Sequence, residues 1–127
     1  MKNIPKISEA EWEVMKLIWK NNPITSDILI SILTDKMRWS SQTVKTFINR
    51  LLNKKVIDYE KSGRCYMYYP LISEKDCIKA ENKSFLERVY DGAVGMLFTN
   101  FLEQESLSAK EIEALQELLE EKKKKNS

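Results

Sequence analysis

From Trp12 to Trp19 the apolar residues Trp12, Val14, Met15, Leu17, Ile18 and Trp19 recur at helical spacing, a stripe that one helix face can bury. Ser8 stands three residues before Glu11, the capping-box arrangement that starts a helix, and Asn21-Asn22-Pro23 stops it. Thr25 or Ser26 can cap a second helix, with Asp27 in its positive first turn and Ile28, Leu29, Ile32 and Leu33 as its buried face. Thr34 to Trp39 breaks the pattern. Ser40 caps a third helix, in which Val44, Phe47, Ile48, Leu51 and Leu52 form one apolar face. Gln42, Thr43, Lys45, Thr46, Asn49 and Arg50 occupy the rest of its wheel.

The period changes at Val56. Val56 to Lys61 is rich in β-branched and aromatic residues, Ser62-Gly63 signals a turn, and Cys65 to Tyr69 reads as a returning strand that Pro70 ends. Tyr69 is expected in the core, as are Trp12, Trp19 and Trp39. Three helices followed by a β-hairpin is the winged-helix order, an elaborated helix-turn-helix. The predicted fold class is therefore mainly α with a small β-hairpin: a winged-helix domain followed by a helical domain.

From Ser73 the pattern is helical again. One helix is predicted from Ser73 to Tyr90, with Ile78, Phe85, Leu86 and Val89 inward, and Gly92 and Gly95 flank a break. A short apolar segment, Val94 to Leu102, follows. Ser108 with Glu111 starts a last helix whose apolar positions are Ile112, Leu115, Leu118 and Leu119, and which runs into Lys122 to Lys125. Residues 73–127 are too few and too amphipathic to fold well alone. A second copy is the natural cover, and a twofold pair suits a palindrome. The expected dimer face is Phe85, Val89, Leu97, Phe98, Phe101, Leu102, Ile112, Leu115 and Leu119. The alternative is that these helices fold back on their own winged domain. The expected domains are 1–72 and 73–127.

Charge separates the halves. The chain's net charge is +2, but residues 1–72 carry 12 Lys/Arg against 7 Asp/Glu, and residues 73–127 carry 9 against 12. A basic half suits a polyanionic partner. No apolar run approaches a membrane span and no signal-peptide core follows Lys2, so a soluble cytoplasmic protein without membrane insertion is expected. Two cysteines, Cys65 and Cys77, make no zinc spacing or disulfide framework, and there is no histidine. No metal, no cofactor and no enzymatic activity are expected.

The third helix carries the functional reading. The major groove, about 12 Å wide, admits one α-helix that has an apolar face to anchor it and a polar face to reach base edges. No acidic residue lies between Ser40 and Val56 to repel phosphates. Gln42, Thr43, Lys45, Thr46 and Asn49 are expected on double-stranded DNA, with Gln42 suited to adenine, Lys45 to guanine and the threonine methyls to thymine. Ser41, Arg50, Lys54 and Arg64 are placed to meet phosphates. A winged helix that binds protein, or a repressor responding to a small molecule or a metal, is the alternative.

Ser8 to Met15 with Ile18-Trp19, then Thr43 to Leu51, then Tyr68-Tyr69-Pro70 give the chain a closer likeness. Over nearly its whole length it resembles the BlaI/MecI family of penicillinase and methicillin-resistance repressors. The resemblance implies a DNA-binding winged helix, a helical dimerisation domain and repression of antibiotic-resistance genes at palindromic operators. It also implies induction by proteolysis, through a membrane sensor metalloprotease or a protease it activates. The implied cut is an Asn–Phe bond, which Asn100-Phe101 matches here. A copper-responsive branch of the family ends in a cysteine-rich motif; this chain ends in Glu120 to Ser127 without a cysteine.

Overall fold

Local end chemistry starts most helices of the computed structural model, which describes residues 3–126; Met1, Lys2 and Ser127, the extremities of the two expected domains, lie outside the described residues. Helix α1 (Glu9–Lys20) opens on a complete capping box: Ser8 Oγ accepts from Glu11 N at 3.1 Å, and Glu11 Oε1 accepts from Ser8 N at 3.0 Å. A two-residue strand, β1 (Ile24–Thr25), follows. Thr25 then caps α2 (Ser26–Lys36), and Ser40 caps α3 (Ser41–Asn53). A hairpin of β2 (Ile57–Ser62) and β3 (Cys65–Pro70) comes next, then α4 (Glu74–Tyr90), α5 (Val94–Gln104) and α6 (Ala109–Lys125).

The strands form one antiparallel sheet in the order β1-β3-β2. Ser62 pairs with Cys65 around Gly63-Arg64, and Gly63 supplies the positive φ (63°) that this tight loop needs. Ile24 pairs with Tyr68 and Thr25 with Met67. The core joins Val14, Met15 and Ile18 of α1, Leu29 and Leu33 of α2, Val44, Ile48 and Leu51 of α3, and Ile24, Val56, Ile57, Tyr68 and Cys77. Trp19 Nε1 donates to the Ile72 carbonyl oxygen at 3.0 Å, tying α1 to the chain just after the hairpin.

Several expectations are corrected by this packing. Leu29 and Leu33 are buried in α2, but Ile28 is 51% exposed and Ile32 only half-buried. Successive helical residues are rotated by about 100°, so Ile28 stands at the edge of the Leu29–Leu33 line. Tyr68, not Tyr69, is the buried tyrosine of β3, because alternate strand residues face opposite sides of the sheet and Tyr68 is on the side that joins the core of α1, α2 and α3. The tryptophans are half-buried against the core rather than within it. In α4 the buried residue is Cys77, while Ile78 is 43% exposed. Gly92 (φ 85°) marks the break after α4, whereas Gly95 lies inside α5, so the apolar segment is itself a helix.

The chain divides into two compact units, one through Lys83 and one from Ser84. In the second unit no described residue is buried. Phe85, Val89, Phe98, Phe101, Leu102, Ile112, Leu115 and Leu119 are all exposed in the single chain, and Leu97 is half-buried. Ser108 and Glu111 form a second complete capping box at α6. Among the described residues, no helix is long and apolar enough to cross a membrane.

Candidate nucleic-acid interface

Helix α3 is held by its inner face. Val44, Ile48 and Leu51 are fully packed, with Phe47 and Leu52 against them. The remainder presents Ser41, Gln42, Lys45, Asn49 and Arg50, all exposed, and the helix contains no acid. Between α3, the start of α2 and the hairpin opens a cleft of about 440 Å³. Ser41, Lys45, Ile48 and Asn49 line it from α3, Ser26, Asp27 and Ile30 from α2, and Arg64, Tyr66 and Tyr68 from the hairpin. Ser41, Lys45, Asn49 and Arg64, expected at the DNA interface from sequence, thus share one concavity. Gln42 is exposed on the same helix, outside the cleft lining.

Thr43 and Thr46 are half-buried, and their hydroxyls serve the helix itself. Thr43 Oγ1 lies 2.9 Å from Ser40 Oγ, and Thr46 Oγ1 donates to the Gln42 carbonyl oxygen at 3.0 Å. That leaves their methyl groups as the part suited to a thymine methyl. The Arg50 guanidinium lies over the Phe47 ring, 5.7 Å from its centroid, and Phe47 in turn packs on Trp39 at 5.0 Å. Arg50 therefore sits on the flank of α3 and not in the cleft. Lys54 is engaged as well: its ammonium donates to Glu11 Oε1 and, at 2.8 Å, to the Lys6 carbonyl oxygen.

Ser26, Asp27 and Tyr66 are cleft residues that the sequence pattern did not place at the interface. The Thr25 cap was the available signal, since it places Ser26 and Asp27 in the first turn of α2. On the hairpin Tyr59 and Tyr66 pack edge to face at 5.0 Å, with the Lys61 ammonium 6.0 Å from the Tyr66 ring centre. Cys65 is exposed and Cys77 buried, both free thiols. Among the described residues no cluster of His, Cys, Asp or Glu could hold a metal ion. What the arrangement offers is a rigidly seated helix with amide, ammonium and hydroxyl groups outward, flanked by a cationic hairpin tip: hydrogen-bonding and electrostatic chemistry, suited to a duplex groove.

Comparison with known proteins agrees with this geometry. Residues 7–121 match the family model described as penicillinase repressor. The chain is 43% identical to the penicillinase repressor of Bacillus licheniformis over 123 residues, spanning 97% of this chain and 96% of that protein. It is 38% identical to the methicillin resistance regulatory protein MecI of Staphylococcus aureus, over 92% of this chain and 95% of the relative. The DNA-binding domain of the repressor BlaI, solved in solution, superposes with a TM-score of 0.55 at 43% identity, covering 60% of this chain and 93% of that one. The monomeric form of Bacillus licheniformis BlaI in complex with the blaP half-operator gives 0.54 at the same identity and coverage. The chain belongs to the penicillinase repressor family.

Proposed function

We propose that this chain represses transcription by binding double-stranded operator DNA as a homodimer in the cytoplasm. Residues 1–72 form the DNA-binding domain and 73–127 the dimerisation domain. The observation that carries the reading is α3: seated on Val44, Ile48 and Leu51, polar on its other sides and free of acids, in a chain 43% identical to a repressor solved with its half-operator. Gln42, Thr43, Lys45, Thr46 and Asn49 meet base edges, while Ser41, Arg50 and Arg64 meet phosphates. The names of the relatives point to β-lactam-resistance genes as the targets. The protein has no catalytic role in this reading.

The exposed apolar residues of α5 and α6 support pairing, because so many large apolar side chains on two short helices are unusual on a lone soluble chain. Cleavage at Asn100-Phe101, by a membrane sensor metalloprotease or a protease it activates, would sever α6 from the rest and so undo the dimer. The direct test is to select duplexes from a random-sequence pool with the full-length protein and titrate the winner across salt. A palindromic winner is expected, with affinity falling steeply as salt rises. Lys45→Ala should cost about 1–3 kcal/mol if it contacts a base. Failure to enrich any duplex would overturn the reading and favour a protein-binding winged helix.

A further inference from the structure

Lys54 lies at the carboxyl end of α3, where a cation would ordinarily be read as a phosphate contact. Its surroundings point elsewhere. Glu11, its partner, is 1% exposed and is the buried charged residue of the described chain. The Glu11 Oε1 atom that accepts from Lys54 also accepts from Ser8 N, so one carboxylate closes the α1 capping box and holds the end of α3. The same ammonium donates to the Lys6 carbonyl oxygen, beside buried Ile7. The backbone at Lys54 is fixed independently. Lys55 N donates to the Leu52 carbonyl oxygen at 3.0 Å and Val56 N to that of Leu51 at 3.1 Å, with Lys55 left-handed at φ 60°. This is a Schellman ending, with both Leu51 and Val56 buried.

We propose that Lys54 is a positioning residue for operator recognition: through Glu11 it locks the carboxyl end of α3 onto the start of α1 and so sets the aim of Gln42, Lys45 and Asn49. Turning the ammonium to a phosphate would strand a buried carboxylate without its counter-charge, which is strongly disfavoured. Burial pushes the Glu11 carboxyl up, but the donors from Lys54 and Ser8 outweigh it and leave it below its ordinary value, so the carboxylate stays charged at neutral pH. The inference rests on the DNA-binding reading above.

The test uses full-length protein and two probes: the duplex enriched by the wild type from a random pool, and an unrelated duplex of equal length. If no duplex is enriched, the DNA-binding reading itself fails, separately from this one. Lys54→Met and Glu11→Gln are each compared with wild type, with the binding-competent fraction counted by titration at saturating DNA. Both variants should lower the ratio of specific to non-specific affinity about tenfold, while the salt dependence on the unrelated duplex keeps its slope. The double variant should lose no more than the worse single one. Loss of folded protein alone would lower both affinities together and leave their ratio intact. Glu11→Gln keeps the side-chain volume and the capping oxygen, so it serves where Lys54→Met does not fold. The proposal is overturned if Lys54→Met flattens the salt slope by about one on both duplexes while Glu11→Gln is silent, since that is the mark of a phosphate contact. It is equally overturned if neither variant changes the ratio.

Discussion

The Trp19 indole N–H reaches across to the carbonyl oxygen of Ile72, 53 residues later, at 3.0 Å. That bond fixes the exit of the hairpin on the last turn of α1, and the Trp12 ring backs it edge to face at 5.5 Å. Trp19→Phe keeps an aromatic ring but removes the donor. It should cost about 1–2 kcal/mol, read as a lower urea midpoint with an unchanged slope.

Leu29 and Ile28 are neighbours in sequence with opposite environments, 0% and 51% exposed. Leu29→Ala should destabilise by about 2–5 kcal/mol, whereas Ile28→Ala should stay within about 0.5 kcal/mol. Thermal melts of the two variants side by side check the difference.

Phe101 and Leu119 are exposed apolar residues in the second unit. If they face a partner copy, Phe101→Asp with Leu119→Glu should produce a monomer by sedimentation. Affinity for a full palindrome should fall about 100-fold or more, and affinity for a half-site far less, because the linked second contact is what the pair adds.

Cys77 is buried, and burial, with Asp76 adding to it, pushes its thiol up to about 11. The folded value exceeds the unfolded one, so the protein binds this proton more tightly than the open chain does. The contribution is complete below the ordinary thiol value of 9.0 and is lost as pH rises towards 11. Stability should therefore fall across that window, and Cys77→Ala should flatten the fall. In native protein, a thiol reagent at pH 8 should label the exposed Cys65 quickly and Cys77 only on unfolding.

The elements legible in the sequence were those whose signals are local. The Ser8–Glu11 and Ser108–Glu111 boxes and the Ser40 cap each lie within three residues of what they bond, and all three helix starts appear where expected. What escaped depends on distant partners. β1 is two residues long and exists only because Tyr68 and Met67 pair with it. The choice between Tyr68 and Tyr69 is a one-residue matter of strand parity that is decided by which face of the sheet meets the helices. Lys54 looks like a free cation until Glu11, 43 residues earlier, is placed beside it. In the cleft, α3 supplied its outward residues from periodicity alone, but Asp27 and Tyr66 joined them through tertiary contact.

The Asn100-Phe101 bond lies in the interior of α5 (Val94–Gln104), and that has a consequence for any enzyme acting there. A peptide bond inside a helix is out of reach until the local turns melt, so scission would run at the rate at which α5 frays. The helix is poorly guarded against fraying: Ala93 gives it no side-chain cap, its first turn holds no acid and its last turn no base. If α5 melts as one unit before such a cut, Ala93→Ser, several residues from the bond, should strengthen the helix by about 1 kcal/mol and slow proteolysis there several-fold. Susceptibility at that bond would then depend on how the helix begins, and could be altered without touching either residue of the bond itself.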